Sequence, residues 1–234
     1  IYHRRYLMTS RLRSMVFLFC GFLRQTDALR TVIIVALAPL FFSPAFAEDA
    51  WRLEKMSHGI KVYSRAVADS PIRAVRGVVK INAALDDALS LLQNIDARPS
   101  WDEMCVETYL VDTPAPGIEK IYLHHDLPWP VKDRDMILQT EWKIDTNTGV
   151  AHMYGKAVIS GVSEFRERVR VVNAENQWII TPLADGGLEL QAVMHADPAG
   201  PIPAWVLNWL SVDAPITTLQ KIKMILEQPA SHNS

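Results

Sequence analysis

Cysteine is nearly absent from this 234-residue chain: only Cys20 and Cys105 occur. Two thiols cannot supply a cysteine-type zinc cluster, and the one that lies outside the N-terminal region cannot close an internal disulfide. The fold must then be stable through its core alone. Neither a G-x-S-x-G elbow nor an H-E-x-x-H helix is found, and the ten glycines form no phosphate-cradling loop. Serine-hydrolase, zincin and nucleotide chemistry therefore have no motif to stand on. Cys105 and its neighbour Met104 have no base beside them in the sequence, which leaves a thiol nucleophile unsupported. No metal and no cofactor are expected. The apolar run Thr31–Phe42 has twelve residues, short of the roughly 20 that cross a bilayer as a helix.

That short run has the flanks of a secretory signal instead. Arg24 and Arg30 precede it and the small-residue site Ala45-Phe46-Ala47 follows, so cleavage is expected after Ala47. The alternative is an uncleaved interfacial anchor. A second apolar patch, Met15 to Leu23, makes Met8, Met15 or a codon further upstream the candidate start. Residues 1–47 are accordingly read as leader and 48–234 as one domain with a substantial core. The leader carries six arginines and one aspartate, which leaves 18 basic against 25 acidic residues, a net charge of −7. Such a balance opposes nucleic acid as a partner and opposes a permanently basic membrane-binding face.

The mature region alternates between strand and helix signals. Ala50–Met56, anchored by Trp51, is predicted as a short amphipathic helix broken by Gly59. Ile60, Val62 and Tyr63 begin a strand, and Ala74–Ile81 is its hairpin partner after a turn at Asp69, Ser70 and Pro71. Asn82 caps the next segment, with Asp86 and Asp87 in its first turn and Leu85, Ala88, Leu89, Leu92 and Ile95 along one helical stripe. Seven extended segments follow, expected to form an antiparallel meander: Met104–Val111, Ile118–Leu127, Asp135–Ile144, Gly149–Ile159, Glu164–Val172, Trp178–Pro182 and Leu188–Ala196. In the last of these Leu188, Leu190, Ala192, Met194 and Ala196 share one face, so one side of the sheet is dry. Arg166, Arg168 and Arg170 are read as a row on a solvated convex face.

The chain ends in its most apolar helix. Pro203 suits a first helical turn, and Trp205, Trp209, Val212, Ile216 and Leu219 fall on one stripe with more apolar area than docking alone requires. Pro215 is expected to kink or split this helix. It reads either as a lid or as a core helix closing the sheet. A dry sheet with one early helix and one late helix implies that the sheet curls around the late one.

Three separated motifs then carry a resemblance. Leu127–Met136 (LPWPVKDRDM) is similar to the Pro-aromatic-Pro, Arg-Asp segment of the START family, the lipid-transfer branch of the helix-grip superfamily. The run Trp178–Asn208, with W-x-x-T-P-L, an Asp-Gly-Gly turn and D-P-A-G-P-I-P-A-W-V-x-N, resembles the family's closing segment, and Trp101-Asp102 falls where the family places a tryptophan and an acid. The likeness spans approximately Trp51–Glu227. It implies an α+β helix-grip fold, a curved antiparallel sheet wrapped around a long C-terminal helix, with an apolar tunnel that carries one lipid and does not transform it. Burying apolar surface contributes roughly 25 cal/mol per Å², so a tail of about a dozen methylenes would add several kcal/mol without polar contact.

The cavity-lining set expected on this basis starts with Trp101, His124, Arg134 and Met136. Leu190 and Met194 of the dry face join it, as do Trp205, Trp209, Val212 and Ile216 of the last helix. Arg134 and Asp135 must point to opposite faces of a strand, and Arg134 reads either as a ligand contact or as an ion pair with Asp126 or Asp102. Some animal members have a second, buried arginine inside the tunnel; Thr140 stands at that position. His124 and His125 offer one imidazole to each face, and a lone inward histidine is as readily a satisfied core residue. Two other functions are weighed: a cyclase or aromatase of the wider superfamily, working through His124, Asp126 or His152, and an envelope module that binds a hydrophobic peptide at an open edge strand. The resulting expectation is a monomeric, exported lipid carrier of the bacterial periplasm, touching membranes transiently.

Overall fold

In this computed structural model the described residues are 50–159 and 161–228. The leader expected at residues 1–47 lies outside them. Side-chain alternation builds most of the architecture, and β7 (Ala151–Val158) shows it most cleanly. Ala151, Met153 and Ala157 are buried while His152, Tyr154 and Lys156 are exposed, the period of two that a half-buried strand requires.

The remaining strands are β1 (Arg52–Ser57), β2 (Ile60–Val67), β3 (Ser70–Ile81), β4 (Cys105–Ala115), β5 (Ile118–His125), β6 (Arg134–Ile144), β8 (Val169–Arg170), β9 (Asn173–Pro182) and β10 (Leu188–Asp197). Their order across the sheet is β1-β2-β3-β10-β9-β7-β6-β5-β4, with β8 added beside β6. All pairings are antiparallel except β6 with β8. The expected meander is present from β4 to β10, interrupted by β8, and the β3–β10 pairing joins it to the N-terminal hairpins. Helix α1 (Leu85–Gln93) and the single turn α2 (Arg98–Trp101) bridge β3 and β4, while α3 (Ala204–Asn208), a π-helical segment Trp209–Asp213 and α4 (Ala214–Glu227) close the chain. The helix-grip expectation is met. No helix among the described residues is long and apolar enough to cross a membrane.

Two local expectations are corrected. Residues 52–57 form a strand and not a helix, because His58 and Gly59 both take positive φ (53° and 75°) and close a two-residue hairpin between Ser57 and Ile60. Such turns need left-handed residues at both central positions, and Gly59 fills one at no steric cost. Trp51 is held under the guanidinium groups of Arg65 and Arg76. The second correction concerns Glu164–Val172, where only β8 is extended. Arg166 is exposed, but Arg168 donates to the Tyr122 hydroxyl at 2.6 Å and Arg170 forms a 2.8 Å ion pair with the fully buried Asp135. The arginines hold a loop onto the outer face rather than lining it with solvated charge. The expected cap Asn82 is displaced as well: the N-cap of α1 is Ala84, with no side-chain cap, and the Asn82 backbone N–H donates to Glu227 Oε1 at 2.9 Å.

The main core gathers Ile60, Val62, Val79, Ile81, Leu188 and Leu190 from the sheet with Ile216, Leu219 and Ile222 from α4. Gly77 in β3 makes the close contact between them. A Cβ built there would lie 2.5 Å from Leu219 Cδ1, so the helix rests on bare backbone. Gly77→Val is expected to cost about 1–3 kcal/mol by overpacking, read as a lower denaturant midpoint. An unchanged midpoint would mean that α4 does not bear on the sheet at this point.

Candidate functional site

Between the sheet and the C-terminal helix lies an apolar cavity of two joined lobes, about 80 Å³ and about 100 Å³. Val75, Met104, His125, Met136, Met194 and Leu210 are common to both lobes. The roof of the first is Leu210, Ala214, Pro215, Thr218 and Leu219, and that of the second is Leu207, Leu210 and Ser211. Lobes this small hold several waters but fall short of the roughly 300–1,000 Å³ of a usual ligand pocket. A larger guest requires the roof to move.

The π segment decides which side chains form that roof. A turn with i→i+5 bonds holds one more residue than an α turn, so Val206, Leu210 and Ala214 stay in line at spacings of four. The predicted stripe assumed an unbroken α period. Trp205 is instead 53% exposed, Trp209 is half-buried away from both lobes, and Val212 lines a separate shallow groove with Arg52 and Glu54. Pro215 sits in the first turn of α4 directly after the π segment, and the backbone stays helical through Asp213 and Ala214, so the expected split into two segments is replaced by a π turn.

The halves of this helix are held very differently. Lys221 pairs with Glu103 at 2.6 Å, Lys223 Nζ donates to the Lys80 carbonyl at 2.9 Å, and the Glu103 N–H donates to Thr218 Oγ1 at 3.1 Å. Those anchors all fall on α4. On the N-terminal side the polar tie from the helix to the sheet is Lys55–Asp213 at 2.7 Å, between half-exposed side chains, an exposed pair of a kind that contributes roughly 0–1 kcal/mol. Ser211 donates to the Leu207 carbonyl at 2.7 Å, a back-bond that bends helices.

Arg134 fastens the chain just before that N-terminal half. Its Nε donates to the Pro198 carbonyl at 2.9 Å, Nη2 to Ala199 at 2.7 Å and Nη1 to Lys132. It therefore ties the loop between β5 and β6 to the segment leading into α3, and it lines the second lobe. The expected carboxylate partner is replaced by backbone oxygens. Asp135, on the other face, takes Arg170, so the two neighbours secure loops on opposite sides of β6. The β5–β6 loop exposes Trp129 almost completely, at 88%, and Pro130, Val131, Ile202 and Pro203 line a broad open groove beside it.

Polar groups reach the cavity at one inner corner. Arg98 Nε donates to Asp102 Oδ2 at 2.9 Å, and both side chains are buried. His125 Nε2 is buried without a hydrogen-bond partner, 3.9 Å from Asp102 Oδ2. Burial raises the Asp102 carboxyl, but the Arg98 guanidinium and its hydrogen bond hold it below its usual value of 3.8. Burial lowers His125 below 6.5, against the pull of Asp102. Burial likewise pushes the Cys105 thiol up to about 12, so it is a protonated core residue, packed with Ile121, Leu123 and Leu138, and not a nucleophile.

With this geometry in hand, comparison with known proteins is decisive. A START domain model matches residues 38–229. The chain belongs to the START domain family. A crystal structure of a STAR-related lipid transfer protein fragment from Xanthomonas axonopodis is 33% identical, covers 77% of this chain and all of that one, and superposes with a TM-score of 0.69. An uncharacterised protein of Pseudomonas aeruginosa is 31% identical over 209 residues, 89% of this chain and 98% of its own length. Bovine phosphatidylcholine transfer protein is 24% identical over 171 residues, 71% of this chain and 79% of its own.

Within this START domain the expected lining residues separate into three groups. Arg134, Met136 and Met194 lie on the cavity wall. Trp101, Leu190 and Ile216 are in the packed core instead, Trp101 edge-on to Trp178 at 5.7 Å. His124, Trp205, Trp209 and Val212 face elsewhere; His124 Nε2 sits 2.8 Å from Asp133 Oδ2 on the outer side. Strand alternation gives the inward place to His125. Thr140 is buried, with its hydroxyl 3.5 Å from the Glu119 carbonyl. Arg98 was missed, although the i, i+4 spacing of Arg98 and Asp102 around Trp101 marks such a pair. Leu210, Ala214 and Thr218 were missed because nothing in the sequence announces a π turn.

Stability should carry the mark of this corner. The unfolded state protonates His125 near 6.5 while the folded state resists, so stability is full above that pH and falls as pH drops below it; Asp102 adds a further loss below 3.8. The melting temperature is expected to begin falling below pH 6.5, with a smaller decline in His125→Gln. An identical pH profile for the two proteins would remove His125 as the cause.

Proposed function

We propose that this START domain is a non-catalytic carrier that encloses one lipid between the sheet and residues 204–219, and that α3 with the π segment opens to admit it. The observation that carries the reading is the apolar two-lobed cavity under a roof whose halves are unequally anchored. The names of the Xanthomonas and bovine relatives support lipid transfer as its use. A catalytic role finds little support at the corner: the imidazole, the carboxylate and the guanidinium are there, but no thiolate or activated hydroxyl faces them. Peptide capture finds no more, since β4 carries Pro114 and several register shifts and β1 is short, charged and bulged, features that discourage strand addition.

Exchange would take place at a membrane surface. Trp129 and Trp205 stand exposed on the two segments that flank the Arg134 tie, and amphipathic aromatic side chains favour the bilayer interface. With the leader removed, the carrier would work as a monomer in the periplasm, between donor and acceptor membranes. Extraction of protein purified from its native compartment is expected to yield about one lipid per chain by mass spectrometry. Absence of stoichiometric lipid, together with no uptake from vesicles, would defeat the carrier reading; a change in mass of the recovered lipid on incubation would make the protein an enzyme.

Two substitutions separate cavity from mouth. Met136→Trp, which fills the wall common to both lobes, is expected to abolish lipid uptake with a melting point still near that of the wild type. Trp129→Ser with Trp205→Ser should reduce vesicle association at least tenfold, given about 1.5–3 kcal/mol for burying one large apolar side chain, and leave lipid already bound in place. Undiminished vesicle association in that double variant would move the docking surface elsewhere.

A further inference from the structure

A polar groove of about 280 Å³ runs outside the second lobe and shares Ile72, Arg73, Leu207 and Ser211 with it. One wall belongs to the sheet, with Arg52, Glu54, Ser64 and Arg73; the other belongs to the roof, with Leu207, Asn208, Ser211 and Val212. The charges on the sheet wall do not balance. Glu54 is taken up by Arg52, whose Nε and Nη2 donate to its two carboxylate oxygens at 3.0 Å, and Ser64 donates to the same carboxylate. Arg73 is left over. Its Nε donates to Ser64 Oγ at 2.8 Å, while Nη1 and Nη2 have no partner among the described residues.

This spare cation is held ready for an oxyanion. Ser64 is 3% exposed and is fixed by Glu54, so it orients the Arg73 guanidinium and leaves the Nη1 and Nη2 protons as a two-pronged donor. Such a fork matches a carboxylate or a phosphate. The roof wall discriminates between them. The Ser211 hydroxyl is spent on the Leu207 carbonyl, whereas the exposed Asn208 amide makes no side-chain hydrogen bond among the described residues. A carboxylate gives both of its oxygens to the fork; a phosphate keeps further oxygens that can accept from the Asn208 amide across the groove. Space does not forbid it, since the groove volume is several times the roughly 30 Å³ share of one water.

We propose that this groove is a phosphate site at the rim of the roof, with Arg73 on the sheet and Asn208 on the helix sharing one phosphate group. The binding stands apart from the carrier reading; its consequence rests on that reading. A phosphate spanning the two walls ties the N-terminal half of the helix to the sheet, where Lys55–Asp213 is otherwise the polar tie. An occupied groove therefore holds the roof closed, and by linkage an opening roof gives the phosphate up. A phospholipid headgroup at a membrane surface and a soluble phosphate both have this chemistry.

The test titrates the purified full chain, stripped of lipid, with inorganic phosphate and with acetate at matched ionic strength, and reads binding as a rise in melting temperature. Phosphate is expected to raise it and acetate to leave it unchanged. Affinity for phosphate should fall about fivefold or more in Arg73→Gln, through loss of a charge-assisted fork. It should be unaltered in Lys61→Gln, which removes the same charge from the outer face of β2. Equal effects of the two anions, or equal phosphate affinity in the two variants, overturn the site for a soluble phosphate. Vesicles of phosphatidylcholine with and without phosphatidic acid test the other source: association that depends on phosphatidic acid and weakens in Arg73→Gln assigns the groove to a lipid headgroup. Dependence on Arg73 in neither experiment overturns the proposal. Hydrogen exchange at residues 204–213 should slow with the bound phosphate in the wild type and not in Asn208→Ala; exchange unchanged in the wild type overturns the bridge to the roof. A chain that binds phosphate but takes up no lipid keeps this site and loses the carrier reading, and one that carries lipid but ignores phosphate does the reverse.

Discussion

The close seating of α4 on β3 is the contact on which the rest of this molecule depends. Gly77 removes a side chain where Leu219 must sit, and the core residues Ile216, Leu219 and Ile222 follow it into the sheet. With that half of the helix fixed by packing, by Lys221–Glu103 and by Lys223 on the Lys80 carbonyl, the N-terminal half is left to span the concave face. It does so with Leu207, Leu210 and Ala214 over a wall of methionines and small aliphatic side chains. A cavity persists there because close packing is satisfied at one end of the helix and given up at the other. Methionine suits such a wall, since its unbranched, polarizable chain adapts to different neighbours.

The second organising element is the pair at the start of β6. Arg134 and Asp135 are consecutive, so the pleat sends them to opposite faces, and each fastens a loop that the sheet hydrogen bonds do not hold. Arg134 joins the exposed Trp129 loop to the entrance of α3; Asp135, through Arg170 and Tyr122, holds residues 162–172 on the outside. Breaking a buried ion pair by deleting one partner typically costs about 3–5 kcal/mol, which is the loss expected on removing either side of the buried Asp135–Arg170 pair. Arg134 has no such carboxylate. Its ties are to backbone oxygens alone, and the Trp129 loop and the segment entering α3 are thereby linked by one side chain.

Much of the scaffold was legible in the sequence because it follows periods of two and 3.6. The dry face of Leu188–Ala196, the α1 stripe and the order of strands from β4 to β10 are of this kind, and the three separated motifs pointed to the START family. What escaped notice did so for identifiable reasons. The β1–β2 turn hides in His58-Gly59, where a non-glycine residue takes positive φ. The arginines of 164–172 look like solvated charge until Tyr122 and Asp135 are known to lie beneath them. A histidine doublet shows that one ring faces inward but not which, so His124 was named in place of His125. Most consequentially, one π turn rotates the helix enough to replace Trp205 and Trp209 with Leu207, Leu210 and Ala214 as the roof, and no residue pattern marks that turn in advance.

Hydrogen–deuterium exchange along the C-terminal helix, with and without bound lipid, tests the division of labour most directly. Local openings reveal themselves as amide exchange well below the global stability. The account predicts rapid exchange at residues 204–213 in the lipid-free protein, strong protection of the same residues on loading, and slow exchange at 214–227 in both states. Uniformly slow exchange from 204 to 227 before loading, unchanged by lipid, would show a rigid core helix and contradict a cavity opened from its N-terminal half.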